Sequence, residues 1–412
     1  MRLNKKITKP ISWKFWEKKG DLHLMNRIQW DDRELKSMML PFHQDWHGYG
    51  NAQQTLEKKL AEFTNIKYFN LTNSGSTAIT TGLKVFKEQG RFKYGDKVLH
   101  PITTFPTSIS PAIDYGAIPV YIETKPGRYV VDEEQVERAI RKHPDIVGMI
   151  LPHLLGNIPN MDKIKASLGE RWLIEDSCDT MGGYFKGKHI GSFGDFVAFS
   201  FYGSHHITTA GVGGSIGTND EKLSKLAKSI IFWGHDYTTH DNKKTNTDFL
   251  NRYATETIGN DFQMSGIQAG FGLSQMKKLD NFIKARAKQF EELDTIFHEK
   301  GGNNFVLPNS DTDSSPSWFS YPLVVKDDAP FTRKDFVDYL TENHVEIRPI
   351  MCGNIIKQPP FAKAKRITLD GDKFPIADSI ESGGFFIPSW GMPENQKEDY
   401  YEVLNKFLGK FK

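Results

Sequence analysis

At 412 residues, with 38% apolar and 25% charged side chains, the chain has the composition of an ordinary soluble protein and fits a large domain plus a smaller one. Its 53 basic and 51 acidic residues give a net charge of +2, which argues against a nucleic-acid surface or an acidic tail, so any anion site must be local. Two cysteines, Cys178 and Cys352, exclude a disulfide framework and are too few for a common iron–sulfur cluster, which needs about four thiolates.

Met1 to Gly20 mixes Lys with Trp and Phe and has no continuous apolar run. Neither a signal peptide nor a membrane span is read there, and the cytoplasm is the expected compartment. Residues 1–30 read as an N-terminal arm in which Trp13, Phe15, Trp16 and Trp30 are spaced like packing anchors. From Asp31 to Phe63 the pattern is helical, with Leu56, Leu60 and Phe63 on one face. The intervening Asp45-Trp46-His47-Gly48-Tyr49-Gly50-Asn51 is a turn-rich loop.

Ile66 to Leu71 reads as a strand, followed by Thr72-Asn73-Ser74-Gly75-Ser76-Thr77-Ala78 and a helix through Lys87. A strand, a hydroxyl-rich loop and a helix start form a phosphate cradle, because free N–H groups and the helix dipole both favour an anion. An ordinary Ser/Thr helix cap produces the same pattern. Strands follow at 97–99, 119–122, 146–151 and 172–176, with a helix at 132–142 and Phe105 in the turn after the first of them. This alternation predicts a mostly parallel sheet covered by helices on both faces, with ligands gathered past the C-terminal strand ends. Phe105, the loop 153–157, Asp176, and Ser200 to His206 then share one rim.

Asp195 to Gly214 reads as an apolar strand entering a turn with Ser200, His205 and His206, then a glycine-rich return. Leu223–Phe232 is amphipathic, Gly234–Thr257 reads as a long polar loop, and Leu279–Lys300 is a charged helix. Residues 31–300 are expected to form the large domain and 301–412 a small α/β domain. The small domain is read as a strand at 321–325, a helix at 332–342, a strand Val345–Arg348 and a final helix at 394–407.

Phe199-Ser200-Phe201, a reactive position at 205 and the turn through Gly214 together resemble the signature of the DegT/DnrJ/EryC1/StrS sugar aminotransferases. The resemblance implies the aspartate aminotransferase-like fold (fold type I) and the cofactor pyridoxal 5'-phosphate (PLP). It assigns Asp176 to the pyridine nitrogen, Asp179 to the ring oxygen, and Gly75, Ser76 and Ser200 to the phosphate. Phe105 is the residue for stacking on the ring, with a core role as the alternative. Asn260, in a segment similar to the family's Gly-x-Asn-x-x-Met, is expected to reach a neighbour's phosphate, which implies a homodimer with shared active sites. Trp46 lies in the loop that faces the sugar nucleotide in that family. Arg348 and Asn354 fall in a segment similar to Arg-x-x-x-x-Gly-Asn-x-x-x-Gln-Pro, with Arg348 able to clamp a carboxylate or phosphate or to serve a structural ion pair.

Position 205 is a lysine in most of that family, where it holds PLP as a Schiff base; here it is His205. The replacement resembles the branch of nucleotide-sugar 3-dehydratases, which act on a nucleotide-linked 4-keto-6-deoxyhexose on the way to 3,6-dideoxysugars. An imidazole can move a proton but cannot form the imine, so the cofactor would be held noncovalently and could persist as pyridoxamine 5'-phosphate (PMP). One route in that branch uses an iron–sulfur cluster held by four cysteines after a Trp-Gly motif; Trp233-Gly234 is present, but residues 235–251 contain no cysteine. The resemblance therefore points to the other route, in which L-glutamate regenerates PMP. A metal site, a nucleic-acid partner and a membrane are not expected. Two alternatives remain open: an aminotransferase that lost its lysine, and a silent protein that binds a sugar nucleotide or PLP.

Overall fold

The structure is a computed structural model that describes residues 29–43, 48–235 and 254–411. Most of the N-terminal arm, Trp46, and most of the polar loop at 234–257 lie outside the described residues.

Eight strands form the large sheet: β1 Tyr68–Thr72, β2 Lys97–Pro101, β3 Ile118–Ile122, β4 Ile146–Pro152, β5 Trp172–Asp176, β6 Phe196–Ser200, β7 Gly214–Thr218 and β8 Ile367–Thr368. Their order is β1-β7-β6-β5-β4-β2-β3-β8. From β6 to β8 every pairing is parallel, whereas β7 runs antiparallel to both β6 and β1. A sheet covered on both faces needs apolar residues at successive positions, and all five residues of β5 are buried. Against one face pack the helices α1 Gly75–Glu88 and α2 Glu221–Ile231, which bury Leu83, Phe86, Leu223 and Ile230 with Trp172 and Phe196. Ser74 caps α1 by accepting from the Thr77 N–H, and Asp220 caps α2.

The helix α3 Leu279–Lys300 links two cores. Leu279 packs with Leu56, Val197 and Phe199 on the large sheet, whereas Phe290, Leu293 and Phe297 pack against a small antiparallel sheet of Phe305–Val306, Tyr321–Val325 and Gly384–Ile387. The chain then returns to the large sheet. Ile355, Ile356, Phe361 and Phe374 join its core, and β8 extends its edge alongside β3.

The strand expected at Val345–Arg348 does not form. Arg348 makes a single antiparallel bridge to Phe386, and the pairing stops there. Pro349 has no N–H to continue the ladder, and Met351 turns the chain with a left-handed φ of 46°.

Candidate functional site

A cavity of about 570 Å³ opens past the C-terminal ends of β4, β5 and β6. Its wall at one end is the start of α1. Gly75 and Ser76 occupy the first helical positions there, whose N–H groups have no partner within the helix. A Cβ on Gly75 would lie 2.6 Å from Cys178 Sγ and 2.9 Å from the Ser200 Cβ, so only glycine lets the ends of β5 and β6 close on this helix start. The Ser76 hydroxyl donates to Thr107 at 2.7 Å, and Ser200 stands opposite at the end of β6.

Alternation along β5 sends its two acidic residues apart. Glu175 faces away from the cavity and accepts from the N–H groups of Gly191, Phe193 and Gly194 and pairs with His153 at 3.0 Å. Asp176 lines the cavity, with Oδ2 accepting from the Ser108 hydroxyl at 2.5 Å and Oδ1 from the Cys178 N–H at 3.2 Å. Asp179 is beside it. Burial and the neighbouring Asp176 charge push the Asp179 carboxyl up to about 7, opposed by the Leu155 N–H and by Arg286.

The two histidines take different sides. His205 lines the cavity with Nδ1 3.5 Å from Asp179 Oδ1, and its ring packs 5.4 Å from that of Phe319. Burial pushes this imidazole down to about 4, opposed by a hydrogen bond to the Cys178 backbone and reinforced by the charges of Arg286 and Arg348. It is therefore an uncharged proton acceptor at neutral pH. His206 turns into the protein, where Nε2 meets the Ser317 hydroxyl at 2.9 Å.

Phe105 is at the rim and 51% exposed, which rules out the core alternative for it. Arg348 also lines the cavity, its guanidinium held by Glu346 at 2.8 and 3.1 Å. The cavity thus brings together Gly75, Ser76, Phe105, Asp176, Asp179, Ser200, His205 and Arg348. It does not include Asn354, which is buried and donates from Nδ2 to Asp378 at 2.8 Å. Asn260 also lies outside the cavity of its own chain, and its side-chain oxygen accepts from Lys84. His153 and Leu154, from the loop expected at this rim, also line the cavity, as do Ser108, Phe319 and Phe386, which no motif singled out. Ser108 carried a faint signal, lying in the first turn of the helix Pro106–Asp114 that begins after Phe105. Among the described residues no lysine lines the cavity, and no three His, Cys, Asp or Glu side chains cluster to hold a metal ion. No described helix is long and apolar enough to cross a membrane.

Comparison with known proteins adds an independent line. Lipopolysaccharide biosynthesis protein RfbH of Salmonella typhimurium is 30% identical over 395 residues, covering 91% of this chain and 88% of that protein. The GDP-4-keto-6-deoxy-D-mannose 3-dehydratase of Yersinia pseudotuberculosis is 27% identical, covering 92% and 96%. A crystal structure of GDP-4-keto-6-deoxymannose-3-dehydratase with a trapped PLP-glutamate geminal diamine matches with a TM-score of 0.83 at 26% identity, covering 93% of this chain and 100% of that one. The sequence profile of the DegT/DnrJ/EryC1/StrS aminotransferase family matches residues 30–408, and the chain belongs to that family.

Proposed function

We propose that the chain is a PLP-dependent 3-dehydratase of a nucleotide-linked 4-keto-6-deoxyhexose, working through PMP regenerated by L-glutamate and without an iron–sulfur cluster. The observation that carries this reading is His205, an imidazole at the cavity position where the family's aminotransferases place a lysine. The absence of a cluster is inferred from the thiol count, because Cys178 and Cys352 are the only cysteines.

The residues present fit the cofactor. The free N–H groups at the start of α1 and the Ser200 hydroxyl offer an anion site, and the closeness of Gly75 to Cys178 and Ser200 leaves room there for no side chain. Asp176 supplies a carboxylate fixed by two donors, suited to holding a proton on the pyridine nitrogen. Phe105 offers an aromatic face at the rim. When bound, PLP or PMP supplies the electron sink into which the substrate's bonding electrons are drawn.

The chain's own work is then positioning and proton transfer. The start of α1 and Ser200 bind the phosphate, Asp176 orients the ring, and Arg348 faces the cavity as a clamp for an anionic group of the donor or substrate. His205 accepts the proton whose removal leads to loss of the C3 hydroxyl, and an uncharged imidazole is ready for this step at neutral pH. Among the described residues no lysine lines the cavity, so His205, Asp176 and the start of α1 would hold the cofactor noncovalently, and it would supply an electron sink for elimination rather than for amino transfer.

Two-fold association with shared active sites belongs to the same proposal. It is supported by the position of Asn260 outside its own cavity and by the exposed Leu35, Met39, Leu40 and Phe42 near the N-terminus. The deciding experiment has two stages. L-Glutamate added to PLP-loaded protein is expected to shift the cofactor absorbance to the PMP form, whereas no shift indicates a silent binding protein. A GDP- or CDP-linked 4-keto-6-deoxyhexose is then expected to yield ammonia and a 3-deoxy product; a 4-amino sugar retaining its C3 hydroxyl would show an aminotransferase.

A further inference from the structure

Arg286 lies on α3, outside every motif, and is only 3% exposed. A buried guanidinium needs acceptors arranged for its planar fork, and the ones it finds belong to the reactive site. Nη1 donates to the Phe319 carbonyl at 2.7 Å, and Nη2 donates to the His205 carbonyl at 3.4 Å. The guanidinium carbon also sits 5.8 Å from the centre of the Phe319 ring, which in turn packs on the His205 ring. One side chain therefore ties the His205 turn to the segment from beyond residue 300 that walls the cavity.

We propose that Arg286 is a positioning residue for the reaction: its fork fixes the backbone of His205 against Phe319 and so holds the imidazole facing the cavity. This rests on the reading of His205 as the proton carrier. The groups facing His205 include Asp179 at 3.5 Å, the Cys178 backbone, Arg286, Arg348, the adjacent His206 and Tyr202, whose ring centre lies 6.3 Å from that of the imidazole. Of the charges that disfavour the imidazolium, Arg286 ranks first and Arg348 second. Arg286 also acts on the other partner, lowering the carboxyl of Asp179 against the effect of burial. A cation at this place thus biases both members of the His205–Asp179 pair and fixes where one of them stands.

The test uses the full chain and separates charge from fork. Modification of His205 by diethyl pyrocarbonate, which requires the neutral imidazole, is followed by peptide mass spectrometry across pH without added cofactor. In R286M the midpoint is expected to rise by about one pH unit, because the main opposing charge is gone. In R286K, which keeps the charge but not the planar fork, it is expected to stay at the parent's value. Turnover is expected to fall about a hundredfold in R286M and at least about tenfold in R286K, the cost of a misplaced catalytic group. Should R286M not fold, R286Q replaces it with the same expectations. An unmoved midpoint in the charge-removing variant, or turnover within about twofold of the parent in both variants, overturns the proposal. The labelling experiment needs no substrate, so it is independent of the 3-dehydratase reading. That reading fails instead if H205N turns over normally.

Discussion

The raised carboxyl of Asp179 makes a prediction about stability that needs no substrate. Its value moves from the ordinary 3.8 to about 7, so between those limits the folded protein holds a proton that the unfolded chain has released. Its contribution to stability is therefore full below 3.8 and is lost as pH rises to 7. At about 1.4 kcal/mol per pH unit, and allowing for half-ionisation near the upper limit, the loss between pH 5 and pH 7 is about 2 kcal/mol. The side chain is 11% exposed, so solvent screening takes little from this figure. His205 works in the opposite direction, since its contribution is present above 6.5 and is lost as pH falls towards 4. It is common to both proteins when D179N is compared with the parent, and so cancels. Urea titrations at the two pH values should show the stability of D179N relative to the parent rising by about 2 kcal/mol from pH 5 to pH 7. A flat difference, or one of opposite sign, would mean that the folded protein carries Asp179 ionised at neutral pH, and the argument from burial would be refuted.

Three other substitutions probe the site. H205K should create a covalent attachment to PLP that borohydride makes permanent, and should suppress loss of the C3 hydroxyl; unchanged turnover would contradict the role given to His205. G75A forces a Cβ to within 2.6 Å of Cys178 Sγ, and is expected to destabilise the protein by about 1–3 kcal/mol and to weaken PLP binding, measured by thermal unfolding and cofactor titration. H206Q disturbs only the buried contact with Ser317, so a lowered melting temperature with turnover within about threefold of the parent is expected. Turnover lost to the extent seen with H205N would show that the wrong histidine was chosen.

Much of this protein could be read from short stretches of chain. The cap at Ser74, the period of Leu56 and Leu60, the helix spanning 279–300 and the apolar start of β5, Trp172 to Ile174, are each specified within a few residues, because capping and periodicity are local physics. The signature through His205 belongs to the same class, since a turn between a strand and its return is also local. The failed strand at Val345–Arg348 shows the limit: its β-branched residues favour an extended strand, but the local pattern did not reveal that Pro349 and Met351 end the pairing after one bridge. Asn354 marks another, because a motif gave its position in the chain but could not show that its amide would be spent on Asp378.

Three features depended on how distant segments meet. Neighbouring histidines in the sequence were divided by packing, with His205 sent to the cavity and His206 to Ser317. The acidic pair on β5 was divided by the pleat, and Asp179 acquired its raised carboxyl from burial beside Asp176. Arg286, Phe319 and Phe386 came to the site only because α3 and the C-terminal segment fold back onto the strand ends. The reason is physical: local sequence fixes which backbone conformation is favourable, whereas charge, burial and reach at a cavity depend on groups that only the order of strands in the sheet brings together.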